Sequence, residues 1–241
     1  MIVRRHFEVG ETAVTIVAEE ELVSYAKRSI FDSRQEIMSF IERDGFFKVT
    51  FDPYDEPESA PAIIRRMCDA ARAANVGPMA AVAGAIAEAA VLAMVDQGAD
   101  HAIVDNGGDL ALVLNRETAV GIFAGTSSFK GLAYMVPPTE GIYGICTSSG
   151  MVGPSISLGA SDAATVFAKD VSLADACATA LGNLVTSDAD DVLGDAVGTI
   201  SDISGVDGCV AMIGERMAMR GKVPDLVRCD DTRCKVSERY L

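Results

Sequence analysis

The sequence predicts an α+β fold in which mixed or antiparallel sheets are covered by helices. Three observations carry that expectation. Residues 2–8 and 12–18 alternate in polarity around Gly10, the pattern of a hairpin. Leu22, Ala26, Ile30, Ile37 and Ile41 recur near helical spacing between positions 20 and 42. Strand-like runs then follow one another at 101–105, 109–114, 118–124, 132–136 and 143–147, joined by glycine-bearing turns.

The other elements fall around that centre. Asp44-Gly45 stops the first helix, and 46–51 reads as a strand. Pro53, Pro57 and Pro61 among acidic residues mark 52–61 as a surface connection. A helix over 62–74 precedes Gly77-Pro78, which punctuates the entry to a small-residue helix over 79–97. Beyond a Gly/Ser-rich loop come a strand at 163–168, helices over 172–186 and 189–203, and a closing hairpin of 208–213 and 217–220. No internal repeat or linker divides the sequence, so 1–241 is expected to form a single domain or two intimately packed lobes.

Composition narrows the function. The 49% hydrophobic and 23% charged content is that of a folded protein. With 35 acidic against 20 basic residues, the net charge of −15 opposes binding to nucleic acid or anionic membrane. It also repels a phosphate-bearing ligand unless a metal ion or a helix N-terminus reverses the sign locally. The stretch 76–95 is apolar except for Glu88 and long enough to cross a bilayer. Ala and Gly dominate it, however, so it reads as a buried, closely packed helix with Glu88 at its edge. The N-terminus lacks the apolar run of a signal peptide, which makes a cytoplasmic location the expectation. A homodimer is the default oligomer.

Only His6 and His101 are present, which excludes a histidine-rich metal site. Six cysteines form no C-x-x-C pair. Cys229 and Cys234 flank four residues near the C-terminus, a spacing open to a redox pair, a soft-metal clip or two reduced thiols.

Asp175 and Thr179 lie four residues apart in the first turns of a predicted helix, on one face, where both can reach a hard cation. Magnesium takes oxygen ligands with one or two carboxylates and keeps other positions for water or phosphate. Ser172 with Asp175 also spells S-x-x-D, in which Asp175 would close the helix N-terminus. Asn106-Gly107-Gly108-Asp109 is a hairpin turn signal whose glycines also admit a ligand close to the backbone, with Asp105 or Asp109 at the rim. Thr147-Ser148-Ser149-Gly150 offers hydroxyls and amides of the kind that cradle phosphate. The small-residue helix leaves backbone groups accessible, including the carbonyl of Ala81. Residues 125–131 contain Lys130 but do not form a P-loop, and no dinucleotide fingerprint or Ser-His-Asp set is present.

Taken in order, the segments at 78–84, 106–109, 147–150 and 174–180 resemble the ApbE superfamily, whose best-known members are FAD:protein FMN transferases. The last, Ala174-Asp175-Ala176-Cys177-Ala178-Thr179-Ala180, is similar to the family's A-D-A-x-A-T-A motif. The chain most resembles an ApbE-related family of short soluble proteins carrying Val-Gly-Pro-Met-Ala-Ala-Val-Ala-Gly. The resemblance implies an ApbE-like fold and a magnesium site of Asp175, Thr179 and the Ala81 carbonyl, with Asp175 as the catalytic residue. It further implies that Asn106, Gly107, Gly108 and Asp109, with Thr147, Ser148, Ser149 and Gly150, bind the FAD or FMN ligand. In the transferases the metal assists cleavage of the FAD pyrophosphate and passage of FMN to a Ser or Thr hydroxyl. Two family features are unmatched: Ala83 stands where the transferases carry a Lys, and 151–162 contain no histidine where they have a His-Ile-Ile-Asp-Pro-like segment. Two alternatives stand beside this reading. One is a cysteine-dependent sulfur or redox protein using Cys146 and Cys177; the other is a non-catalytic ligand-binding subunit on a degenerate enzyme scaffold.

Overall fold

The computed structural model describes residues 1–122, 129, 131–149 and 159–229. In chain order the elements are β1 (Ile2–Val9), β2 (Thr12–Glu19), α1 (Val23–Arg43), α2 (Phe46–Val49), α3 (Ala62–Ala74) and α4 (Val82–Val95). Then follow β3 (Ala102–Asn106), β4 (Asp109–Val113), β5 (Thr118–Gly121), β6 (Leu132–Val136), β7 (Tyr143–Ser148) and β8 (Ala163–Ala168). The chain continues with α5 (Val171–Leu184), α6 (Asp190–Ser201), β9 (Val206–Ile213), β10 (Arg216–Gly221) and β11 (Asp225–Arg228).

Among the described residues, eight strands form one sheet in the order β1-β2-β3-β4-β7-β8-β9-β10, and three form a second in the order β11-β6-β5. Every pairing among them is antiparallel, which resolves the mixed-or-antiparallel expectation. The α+β class follows from this arrangement.

The central strands are buried on both faces, and side-chain size divides the faces. Ala102, Val104, Ala111, Cys146, Ala164, Val166, Cys209 and Ala211 join the core beneath the helices. Their strand neighbours Ile103, Leu110, Leu112, Ile145, Phe167, Val210 and Met212 pack instead with Val120, Tyr134 and Val136 of the second sheet. Small residues on the helix side let α4 and α5 lie close to the strands. A Cβ on Gly144 of β7 would come within 2.9 Å of the Val171 Cα at the start of α5. The segment Pro78–Val95 is long and apolar enough to span a membrane, but over half of it is buried, the closely packed helix expected from its small residues.

Two elements depart from the sequence expectations. Residues 46–51, expected as a strand, begin with the helical turn α2. Asp44 Oδ1 accepts the Phe46 N–H at 3.0 Å, and Phe47 packs edge-on against Phe40 and Tyr54, with centroids 4.9 and 5.2 Å away. One buried aromatic anchor thus decides the conformation, while Phe46, Val49 and Phe51 stay exposed. Strand β11, absent from the sequence reading, pairs with β6 across four residues.

Gly144→Val is expected to lower stability by about 1–3 kcal/mol, because its side chain would push α5 off β7. Thermal unfolding measures this; an unchanged midpoint would mean that α5 does not press on the sheet there.

Candidate functional site

The site grows from the contact of two helices. The N-cap of α5 is Asp170, whose Oδ1 accepts the Leu173 N–H at 2.9 Å. Asp175 therefore does not close its own helix. Its Oδ2 accepts the Gly84 N–H at 2.7 Å, in the first turn of α4, and the Ala83 amide also favours the charged carboxylate. Helix α4 has neither a side-chain cap nor an acidic first turn of its own, so Asp175 answers its exposed amides from another helix. The approach requires glycine: a Cβ on Gly84 would meet the Val171 carbonyl oxygen at 2.6 Å and the Asp175 Cβ at 2.8 Å. At 6% exposure the Asp175 carboxyl is pushed up to about 7 by burial, against the pull of the two amides.

A second carboxylate runs the other way. Glu88 of α4, expected at the helix edge, is buried and ion-paired with Arg66 of α3. Burial raises its carboxyl, while Arg66 and the Ser172 amide at the start of α5 favour the charge.

The β3–β4 turn borders the same helix end. Asn106 pairs with Asp109, so the two-residue loop is Gly107-Gly108, with φ of 75° and 113°. Asn106 thus ends the strand rather than occupying the turn centre, and its Nδ2 donates to the Ala83 carbonyl at 3.1 Å. Asp105 Oδ1 accepts the Gly108 N–H at 2.9 Å. Among the described residues, a Cβ on Gly107 would meet nothing within 4 Å. Asp109 faces Cys146 across the β4–β7 register. Its carboxyl lies well above the carboxylate range through desolvation first, then the Asp175 and Asp105 charges.

The remaining candidates divide. Ala81 is fully buried immediately before α4, and Thr179 lies one turn beyond Asp175, partly exposed. Ser148 is buried and Ser149 partly exposed at the end of β7. The Thr147 N–H donates to the Gly108 carbonyl at 3.1 Å, tying β7 to the turn. Strand alternation, however, turns its side chain away from the helices, where its hydroxyl hydrogen-bonds that of Thr165 at 2.9 Å. Gly150 lies outside the described residues. Asp175, Asp109 and Asn106 therefore converge on the start of α4, whereas the Thr147 side chain does not. The Asp170 cap is the signal missed in the sequence: Asp is a strong N-cap residue, and here it stands just before α5.

Among the described residues, no three His, Cys, Asp or Glu side chains are grouped to hold a metal. The set expected from the sequence, the Asp175 carboxylate, the Thr179 hydroxyl and the Ala81 carbonyl, is of a different chemical type, hard oxygen with one carboxylate, the kind of donor that magnesium takes. The free thiols do not fit the cysteine alternative. Cys146 and Cys177 are fully buried. Burial, then Asp109 and Asp175, holds the Cys146 thiol well above its usual range, and burial pushes Cys177 up to about 12. Such thiols are poor nucleophiles. Cys229, open to three readings in the sequence, is disulfide-bonded.

The family model described as AbpE bacteria matches residues 2–207. The chain belongs to this family. Its relatives include a UPF0280 protein from Methanocella arvoryzae, 49% identical over 92% of this chain and 90% of that one. A UPF0280 protein from Methanosphaerula palustris is 46% identical over 99% of this chain and the whole of its own. Among solved structures, the apo flavinyl transferase ApbE of Pseudomonas stutzeri superposes with a TM-score of 0.60 at 12% identity, covering 91% of this chain and 94% of that one. A mutant of the flavin transferase ApbE of Vibrio cholerae gives 0.57 at 13% identity, covering 91% and 97%. The AbpE bacteria member described here thus has the ApbE fold.

A carboxyl raised from 3.8 to about 7 on folding stabilises the fold when protonated. In metal-free protein that contribution is complete below about pH 4 and lost as pH rises through about 7. Asp175→Asn removes the titration, so its stability relative to the parent is expected to climb across that window. Urea midpoints of both proteins measure this, and parallel curves would contradict the burial of the carboxyl.

Proposed function

We propose that this protein binds a flavin nucleotide, FAD or FMN, together with magnesium at the start of α4, and that cleavage of the FAD pyrophosphate is its reaction. The observation that carries the reading is the position of Asp175. The one carboxylate of the A-D-A-x-A-T-A segment sits against the amides of the small-residue helix, beside the N-G-G-D turn, in a fold shared with flavin transferases.

Each residue of the cluster has a defined part. Asp175, Thr179 and the Ala81 carbonyl would hold the magnesium ion. When bound, the ion supplies positive charge that neutralises pyrophosphate oxygens. Burial leaves Asp175 a carboxylate with amide partners alone, so a cation restores its charge and releases its proton. Asn106 is fixed by the Ala83 carbonyl and ties the turn to α4. Transfer of FMN to a Ser or Thr acceptor is the finer reading, and Ala83 in place of the transferase lysine makes cleavage the first step to test.

Purified protein incubated with FAD and magnesium is expected to release AMP and FMN, followed by chromatography. Asp175→Asn and Thr179→Val are each expected to lower that rate at least about a hundredfold while the fold is retained. Release of AMP unaffected by chelation or by either substitution would overturn the assignment. Absence of turnover in folded protein that binds FAD would instead favour the non-catalytic subunit.

A further inference from the structure

Helix α1 buries one face and keeps large apolar side chains on the opposite one. Val23, Ala26, Ile30, Ser33, Ile37 and Phe40 are its buried residues. With 3.6 residues per turn, the line farthest from them is Ser24, Arg28, Phe31, Gln35, Met38 and Glu42, and all six are exposed. The line advances in alternating steps of four and three residues, the seam spacing by which one helix lies along another. A surface helix normally carries polar residues on this side. Here the middle of the line is Phe31 and Met38, which stay 47% and 43% exposed.

Charge identifies what covers this line. The chain carries −15, so two copies repel each other over most of their surfaces. Helix α1 is an exception, with Lys27, Arg28, Arg34 and Arg43 against Asp32, Glu36 and Glu42. The line is also self-complementary. A two-fold axis through Gln35, perpendicular to the helix, sets Phe31 against Met38 of a second copy. The same axis sets Arg28 against Glu42 of that copy, because both lie equally far from Gln35 along the helix. Within one chain those two are about 21 Å apart and cannot pair. Arg28 reaches Asp32 at 3.7 Å with both side chains mostly exposed, a contact that a closer partner replaces at little cost. A parallel arrangement would instead bring Arg28 onto Arg28 and Glu42 onto Glu42. We propose that α1 is the interface of a homodimer in which the α1 helices of two copies pack antiparallel along this line. Phe31 and Met38 form its centre, and Arg28 with Glu42 closes both ends. The surface shares no residue with the candidate magnesium site.

Sedimentation equilibrium of the full chain is expected to show a dimer with a Kd below about 100 μM, as suits a small interface. The double variant Phe31→Ser, Met38→Ser is expected to weaken association at least about tenfold, with its helix content by circular dichroism unchanged. Arg28→Glu is expected to weaken association about fivefold, because the new carboxylate faces Glu42 of the second copy. Adding Glu42→Arg is expected to restore it to within about twofold of the parent, a rescue that no contact within one chain can supply. Protein that stays monomeric at about 100 μM would overturn the proposal. So would a dimer unmoved by the apolar double variant, or a charge reversal at Arg28 that has no effect or that Glu42→Arg does not repair.

Discussion

The hydrogen bond from Gly84 to Asp175 is the constraint on which the centre of this molecule depends. A helix start buried against other elements must find acceptors for its first amides, and α4 finds one on α5 rather than in its own sequence. That solution demands backbone-close helices, which in turn demand glycine at 84 and small residues along both helices. The same closeness strips water from Asp175 and raises its carboxyl. Packing, helix capping and the charge state of the candidate metal ligand are thus one contact seen three ways. Glu88 repeats the device in the opposite direction, placing a carboxylate from α4 near the first turn of α5. The two helices therefore lock in register as well as in distance.

Most of the frame was legible because local pattern and global fold agree. Ala62–Ala74, Leu132–Val136 and Ala163–Ala168 have the bounds that periodicity and turn residues indicated. The failures have identifiable physics. At 46–51 the β-prone composition says strand, but Phe47 gains its buried aromatic niche against Phe40 and Tyr54 by turning back. Asp225–Arg228 is four residues long with charges at both ends, and its strand character comes from β6 rather than from itself. The candidate site was legible as a set of segments but not as a geometry. S-x-x-D suggested a cap, and capping is what Asp175 does, for a helix whose amide lies 91 residues away in sequence. Thr147 belongs to the right segment, yet the alternation of a strand carries its hydroxyl to the opposite face.

Strand β3 organises the electrostatics of an otherwise acidic chain. At one end Asp105 and Asn106 lead into the carboxylate cluster at the start of α4, where positive charge is wanting. At the other, burial and then the Arg116 charge lower the pKa of the buried His101 ring, against the Asp100 charge. All five residues of β3 are buried.

The unequal faces of the main sheet give the protein two different tolerances to mutation. Beneath the second sheet, Ile, Leu, Phe and Met side chains have rotamers to exchange, and a change of volume at one can be taken up by its neighbours. Beneath the helices, Ala, Gly and Cys have nothing to yield, so an added methyl group must move a backbone. Substitutions there act as displacements of α4 and α5, and through them of Asp175, even from strands that touch no ligand. Variation that retunes the site from a distance will therefore accumulate on one side of the sheet, while variation on the other remains nearly silent.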